Sequence, residues 1–272
     1  MSLRLGIDVG STTTKAVLLD ANGAMLQSEV VATGPDGRAM ARHLRDELLA
    51  AAGAAGAESG SLRVVATGYG RARVDFADRA VTEITCHARG VRFQHPDAAM
   101  VVDVGGQDSK VIRLDAAGRV EDFGMNDRCA AGTGSFLDVI ARRFGLDVSE
   151  LAALHALRPA PFEISSTCVV FAETEVVSLL AQGHPVNDVL AGVQRAVARR
   201  VVTLIKHVGL ATPVYFSGGV AKNESVRREI EALLEVPFAA ARHPQLSGAL
   251  GAALLAGEGG ASGGDAGAAR WS

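Results

Sequence analysis

The sequence predicts an α/β protein built from two similar half-domains, and three observations support that prediction. One strand-and-turn pattern occurs twice, as G-I-D-V-G-S-T-T-T-K at residues 6–15 and V-V-D-V-G-G-Q-D-S-K at residues 101–110, each after a short apolar run. Each copy opens a three-strand meander, with a glycine turn between its second and third strands. A third glycine-rich turn, S-G-G-V-A-K-N at residues 217–223, again lies between an apolar strand and a helix. A supersecondary unit repeated at a spacing of roughly a hundred residues is the mark of duplication.

In chain order, strands are expected over residues 3–9, 15–20 and 24–31, with Asn22-Gly23 as the hairpin turn. A helix follows over residues 38–52, where Met40, Leu44, Leu48 and Leu49 recur at helical spacing. Residues 51–61 are small and form a loop, residues 62–67 a buried strand ending in A-T-G-Y-G-R, and residues 82–93 a helix leading into the second half. The second meander occupies residues 99–104, 110–115 and 119–123, turning at Ala117-Gly118. Helices are expected over residues 134–144, 169–182 and 186–208, the last with Val189, Leu190, Val193, Val197, Val201 and Leu204 on one face. Residues 214–216 form a strand, the third glycine turn follows, and a helix runs on to Leu234. The division is therefore residues 1–80 and 81–245, with an Ala-rich helix at 246–257 packing back on the first half and a disordered tail at 258–272.

Composition removes several function classes. With 27 basic and 30 acidic residues among 272, the net charge of -3 offers no attraction for nucleic acid or an anionic membrane surface. Apolar runs are short and broken, and the N-terminus enters a strand without a secretory segment, so a cytoplasmic protein is expected. Three cysteines, Cys86, Cys129 and Cys168, make a disulfide framework improbable and bring metal or redox chemistry into consideration. Seven histidines are scattered without a paired spacing, which argues against zinc. Arg142-Arg143 and Arg199-Arg200 read as solvated helix faces.

A strand that delivers a carboxylate into a Gly-Ser/Thr turn offers backbone N–H groups and hydroxyls to phosphate oxygens, and its Asp can hold a hydrated cation. Two such turns suggest a clamp around one nucleotide. Three glycine turns and two meanders resemble the actin, sugar-kinase and heat-shock-chaperone ATPase superfamily, whose two ribonuclease-H-like domains enclose ATP and Mg. By that resemblance Gly10, Ser11, Thr12, Thr13, Thr14 and Lys15 would hold the terminal phosphates and Asp8 the hydrated Mg. Asp103, Gly105, Gly106 and Gln107 would face them, with Asp103 a second Mg ligand through water. Ser217, Gly218, Gly219, Val220 and Asn223 would contact the adenosine, with Gln245 on the adenine side. Asp8, Asp103 and Gln107 are the candidates for orienting the attacking water, and Glu173 a remoter one.

Cys129 and Cys168 each precede an expected helix, where unpaired N–H groups and the helix dipole stabilise a thiolate or an anionic cluster. Two thiolates are too few for a closed Fe–S site, but a two-fold dimer would supply four. Spacing alone leaves open that both are buried core thiols. The strings around Asp8, Tyr69, Cys86, Gln107, Cys129, Cys168 and Gly218 together resemble the ATPase activators of 2-hydroxyacyl-CoA dehydratases, a family that also holds the ATP-binding subunits of benzoyl-CoA reductase. That resemblance implies a homodimer with one 4Fe-4S cluster bridging the subunits at Cys129 and Cys168. It also implies ATP-driven transfer of one low-potential electron to an iron-sulfur dehydratase or reductase acting on a CoA ester, fed by a donor such as ferredoxin or flavodoxin. Cys86 stands outside this set and reads as structural, and His87 beside it points away at about 100° around the helix. A small-molecule kinase or a nucleotide-gated scaffold of the same fold are the competing readings.

Overall fold

In the computed structural model, the structure describes residues 2–53, 61–127, 130–146, 148, 150, 151, 162–164 and 169–258. The first half comprises β1 (Leu3–Val9), β2 (Thr13–Leu19), β3 (Met25–Ala32), α1 (Gly37–Ala51), β4 (Leu62–Thr67) and β5 (Arg79–Ala80), and α2 (Glu83–Gln94) leads into the second. The second comprises β6 (Met100–Val104), β7 (Ser109–Leu114), β8 (Val120–Asn126), α3 (Gly134–Arg143), α4 (Val169–Ala181), α5 (Val186–Val208), β9 (Val214–Ser217), α6 (Glu224–Leu234) and β10 (Phe238–Ala240). The helix α7 (Ser247–Ala256) closes the described chain.

Two five-stranded sheets result, ordered β3-β2-β1-β4-β5 and β8-β7-β6-β9-β10. In each, the first three strands are antiparallel and the last two join in parallel. The registers repeat as well: Asp8 lies opposite Lys15 and Thr67, and Asp103 opposite Lys110 and Ser217. Even the irregularities recur, at Leu18/Leu19 in one meander and Arg113/Leu114 in the other. Duplication therefore extends from topology to the position of single side chains.

Central strands β1 and β6 are almost wholly buried, as near-continuous apolar runs covered on both faces should be. On one face of the first sheet, Leu44 and Leu48 of α1 pack on Leu5 and Ile7, and Asp36 caps that helix by accepting from the N–H groups of Arg38 and Ala39. In the second sheet, Phe136 and Ile140 of α3 and Val193, Val197 and Val201 of α5 cover Val102 and Phe216. Leu250 and Ala253 of α7 pack on Val17 and Leu19 of the first sheet. Glycines permit the closest approaches: a Cβ on Gly6 would stand 2.0 Å from the Ala249 carbonyl oxygen, and one on Gly251 1.8 Å from that of Cys86. α7 thus touches backbone on both β1 and α2.

The strands β5 and β10 were not expected, because two and three residues are too short to show a period. β2 begins two residues before the expected start, at Thr13, as its pairing with β3 extends to Ala32. Arg200 is half-buried rather than solvated, its Cβ lying 3.2 Å from where a Gly132 Cβ would stand. Cys129, Cys168 and the tail from residue 259 lie outside the described residues. No helix among the described residues is long and apolar enough to cross a membrane.

Candidate functional site

The two repeated turns face each other across one cleft. They come into contact there, since a Cβ on Gly106 would stand 2.3 Å from Thr12 Oγ1. Each turn is closed by the same bond, Gly10 N–H donating to the Thr13 carbonyl at 3.1 Å and Gly105 N–H to the Asp108 carbonyl at 2.9 Å. The N–H groups of Ser11, Thr12, Gly106 and Gln107 then have no partner among the described residues. Backbone donors presented this way form a concave nest for anions.

Beneath the turns sits a floor of charge. Asp8, 4% exposed, pairs with Lys15 at 3.3 Å, and Asp103, 2% exposed, lies 3.7 Å from Lys110. Register produces both pairs, because each Asp, next to last in its central strand, lies directly opposite the Lys of the following strand. The two lysines differ in their other partners. Lys110 also meets Glu83 at 2.9 Å and Asp108 at 2.7 Å, so three carboxylates surround one buried ammonium. Burial alone would favour neutral Lys110, but Asp103, Glu83 and Asp108 outweigh it and push its pKa up. Burial likewise opposes ionisation of Asp103, yet His87, Lys110 and the Ser217 hydroxyl at 2.7 Å hold its carboxyl below the usual carboxylate range. Lys15 faces one carboxylate and keeps part of its surface open to the cleft.

Four carboxylates, from Asp8, Glu83, Asp103 and Asp108, against two lysines make this floor a poor host for a polyanion by itself. A hard divalent cation held through water between these oxygens and phosphate would reverse that balance. Among the described residues no three His, Cys, Asp or Glu side chains converge closely enough to hold a metal unaided. The donor set therefore fits a hydrated Mg that takes its remaining ligands from a bound phosphate chain.

Of the residues expected from sequence, Asp8, Gly10, Ser11, Thr12, Thr13, Lys15, Asp103, Gly105, Gly106, Gln107, Gly218, Gly219, Val220 and Gln245 line this cleft. Thr14 does not: it is fully buried, and its hydroxyl bonds to that of Thr33 at 3.0 Å, because alternation along β2 turns it away from its neighbours. Asn223 does not line it either; its Oδ1 caps α6 by accepting from Val226 N–H at 3.1 Å. Glu173 lies on α4, away from the cleft lining. Gly218 has a φ of +88°, and a Cβ there would stand 2.3 Å from the Val104 carbonyl oxygen, so the third turn requires glycine. Gln245 reaches over this turn, its Nε2 lying 3.7 Å from the position of a Gly219 Cβ.

Sequence reasoning missed Lys110, Glu83, His87, Asp108, Tyr69 and Asp138, all of which line the cleft. The equal seven-residue step from Asp8 to Lys15 and from Asp103 to Lys110 was a signal for the first of these. His87 is buried with Nδ1 3.4 Å from Asp103 Oδ1, and its Nε2 would be 3.1 Å from a Cβ on Gly248. Cys86, one residue earlier, turns into the core, where burial pushes its thiol up to about 12.

The model of the BadF/BadG/BcrA/BcrD ATPase family matches residues 5–256. The chain belongs to that family. The (R)-2-hydroxyglutaryl-CoA dehydratase activating ATPase of Acidaminococcus fermentans is 43% identical to it over 259 residues, covering 93% of this chain and 96% of that one. A solved structure of the activator of the 2-hydroxyisocaproyl-CoA dehydratase from Clostridium difficile, with bound ADPNP, superposes with a TM-score of 0.86 at 41% identity, covering 94% of each chain. One of the benzoyl-CoA reductase subunits of Thauera aromatica is 32% identical over 266 residues, covering 93% of each chain. A ROK family glucokinase from Streptomyces griseus superposes with a TM-score of 0.53 at 18% identity, a likeness of fold alone. The fold of this ATPase family is thus the two-domain actin-like one, with a mixed sheet in each half.

Proposed function

We propose that this chain is an ATP-dependent activator that hydrolyses ATP in the cleft and delivers single electrons to an iron-sulfur dehydratase or reductase acting on a CoA ester. The observation that carries the reading is the paired register of Asp8 with Lys15 and Asp103 with Lys110, which sets two like turns across one cleft in a member of this ATPase family. Residues 1–80 with 246–257 form one moving half and residues 81–245 the other. Lys15 and the free N–H groups of both turns bind the terminal phosphates. Asp8 and Asp103 would hold a hydrated Mg, which would neutralise phosphate charge, and Gln107 or one of these carboxylates orients the attacking water. Hydrolysis adds water across the terminal phosphoanhydride and releases ADP and phosphate.

The link to redox chemistry runs through α3. Its first residues are tied to the second turn, Gly134 N–H donating to the Gly105 carbonyl at 2.8 Å and Ser135 N–H to that of Gly106 at 2.7 Å. Ser109, beside Lys110, donates to the Gly132 carbonyl. Cys129 lies five residues before Gly134, and Cys168 immediately precedes α4. A shift of the second turn on phosphate binding is therefore transmitted to the segment that bears Cys129. Thiolates at Cys129 and Cys168 from two copies of the chain supply the four sulfur ligands a 4Fe-4S cluster requires, and such a cluster would provide a one-electron store at low potential. A ferredoxin- or flavodoxin-type donor would refill it in a cytoplasmic homodimer.

The test is anaerobic reconstitution of variants. Cys129→Ser and Cys168→Ser are expected to lose iron and sulfide while retaining ATP hydrolysis, and Asp8→Asn and Asp103→Asn to lose at least about tenfold in hydrolysis while retaining iron. A Cys129→Ser/Cys168→Ser chain with full iron content, or unchanged hydrolysis in both Asp variants, contradicts the assignment.

A further inference from the structure

The helix α2 meets the floor of the cleft with one face. Glu83 and His87 lie one helical turn apart on it, and they reach the two members of the second charged pair, Glu83 lying 2.9 Å from Lys110 and His87 Nδ1 3.4 Å from Asp103 Oδ1. Nε2 of the same ring turns toward the first half. A Cβ on Gly248 of α7 would stand 3.1 Å from His87 Nε2 and 3.0 Å from Asp8 Oδ2, so these two atoms close on one spot that glycine leaves open. The mounting is rigid. The backbones of α2 and α7 touch before and after His87, because a Cβ on Gly251 would stand 1.8 Å from the Cys86 carbonyl oxygen and one on Gly90 1.9 Å from that of Ser247. His87 therefore stands between the aspartates of the two halves, on the helix crossing that joins them.

Its hydrogen-bonding capacity is spent nowhere else. His87 is 6% exposed and lines the cleft, and its buried Nδ1 makes no hydrogen bond among the described residues. A buried donor left without a bond is costly, so packing alone does not account for an imidazole at this place. The 3.4 Å approach to Asp103 is one that closure of the cleft on its ligand would shorten into a bond. The two carboxylates are unequally held. Asp103 Oδ1 accepts from the Ser217 hydroxyl at 2.7 Å, whereas Thr67, which holds the matching register position beside Asp8, makes no such bond to it. In a neutral imidazole one nitrogen donates and the other accepts. With Nδ1–H toward Asp103, both Nε2 and Asp8 are acceptors, and a group between them must donate to both, as a water does.

We propose that His87 is the positioning residue that sets the separation of the two aspartates, its Nδ1–H donating to Asp103 and its Nε2 accepting from a water whose other proton goes to Asp8. This rests on the nucleotide reading of the cleft, in which both carboxylates face a hydrated cation. His87 acts through the aspartates and touches neither the phosphates nor the attacking water. Outer partners of this kind orient the ligating oxygens, and their loss weakens cation binding by about 10–100-fold.

The experiment is calorimetric titration of the full chain with ATP, in the presence of a chelator and at a series of Mg concentrations. His87→Leu fills the space of the ring without its nitrogens. It is expected to need at least about tenfold more Mg for half-maximal tightening of ATP binding, while its affinity for ATP in chelator changes less than about twofold. His87→Asn, which keeps a donor near the place of Nδ1, is expected to recover part of that loss. Gly248→Ala puts a methyl group between Nε2 and Asp8 and is expected to raise the Mg requirement with the ring and both carboxylates still present. Thermal melts establish that the variants are folded. A wild-type Mg requirement in His87→Leu overturns the assignment, and so does His87→Asn no better than His87→Leu. An equal loss of ATP affinity with and without Mg overturns it as well, because His87 would then only support the shape of the cleft. Wild-type protein that binds no ATP at any Mg concentration overturns the nucleotide reading itself, a result distinct from an unchanged Mg requirement in the variants.

Discussion

Replacing Lys110 by Met removes the one ammonium that holds Asp103, Glu83 and Asp108 together at 3.7, 2.9 and 2.7 Å. The methionine side chain fills similar space, so the loss is chiefly electrostatic. Removing one partner from a buried charge cluster costs about 3–5 kcal/mol, and the partial exposure of Glu83 and Asp108 places this case near the lower figure, at about 3 kcal/mol. For a chain of this size that corresponds to a fall in Tm of roughly 6–12 °C. Lys15→Met is the control: it leaves one carboxylate rather than three without an ammonium, so its effect on Tm should be the smaller, while its contribution to phosphate binding is the larger of the two. The pH dependence separates the mechanism from general damage. In the wild type Asp103 is held below the usual carboxylate range, so its stabilisation is present above its unfolded pKa and is lost only as pH falls through the depressed folded value. Its Tm should therefore be flat from pH 8 to pH 5. In Lys110→Met, Asp103 loses the ammonium beside it and is left facing two carboxylates, so its protonation relieves repulsion and the Tm should climb as pH falls over the same interval. Scanning calorimetry at several pH values measures both effects. A Lys110→Met Tm within 2 °C of wild type, or one that falls on acidification, refutes the reasoning.

Two further outcomes follow from packing. Gly68 has a φ of +87°, and a Cβ there would stand 2.4 Å from Asp8 Oδ1, so Gly68→Ala should displace that carboxylate and lower ATP hydrolysis at least about tenfold, whereas Thr14→Val, away from the cleft, should change hydrolysis less than about twofold in a steady-state assay. Cys86, fully buried with its thiol raised to about 12, should resist iodoacetamide in the native protein at pH 8 and react only after denaturation, as followed by mass spectrometry.

The duplicated architecture was legible because its signals are local. Gly10 and Gly105 each close an apolar run that carries an Asp two residues earlier, and glycine turns at Gly23 and Gly118 mark the second hairpins; their φ values are +85° and +78°. Cleft residues on the turns were legible for the same reason. Side chains brought in by long-range packing were not. Glu83 and His87 enter on the first turns of α2, and nothing in the sequence near them shows that Lys110 and Asp103 wait opposite. Thr14 was misread because a run of hydroxyl residues conceals the alternation of a strand. Asn223 was misread because a polar residue after a glycine turn has two uses, and the start of α6 claimed it as a cap. The strands β5 and β10 exist through pairing with β4 and β9 rather than through any propensity of two or three residues.

The central claim is that nucleotide state in the cleft governs an electron held at Cys129 and Cys168. Electron paramagnetic resonance on the anaerobically reconstituted and reduced protein, with ADP and then with ATP or a non-hydrolysable analogue, tests it most directly. A signal whose g-values change on exchanging ADP for ATP, and whose loss on adding a 2-hydroxyacyl-CoA dehydratase requires ATP, is the expected result. Identical spectra in both nucleotide states, with the partner reduced at the same rate when ATP is absent, would contradict it.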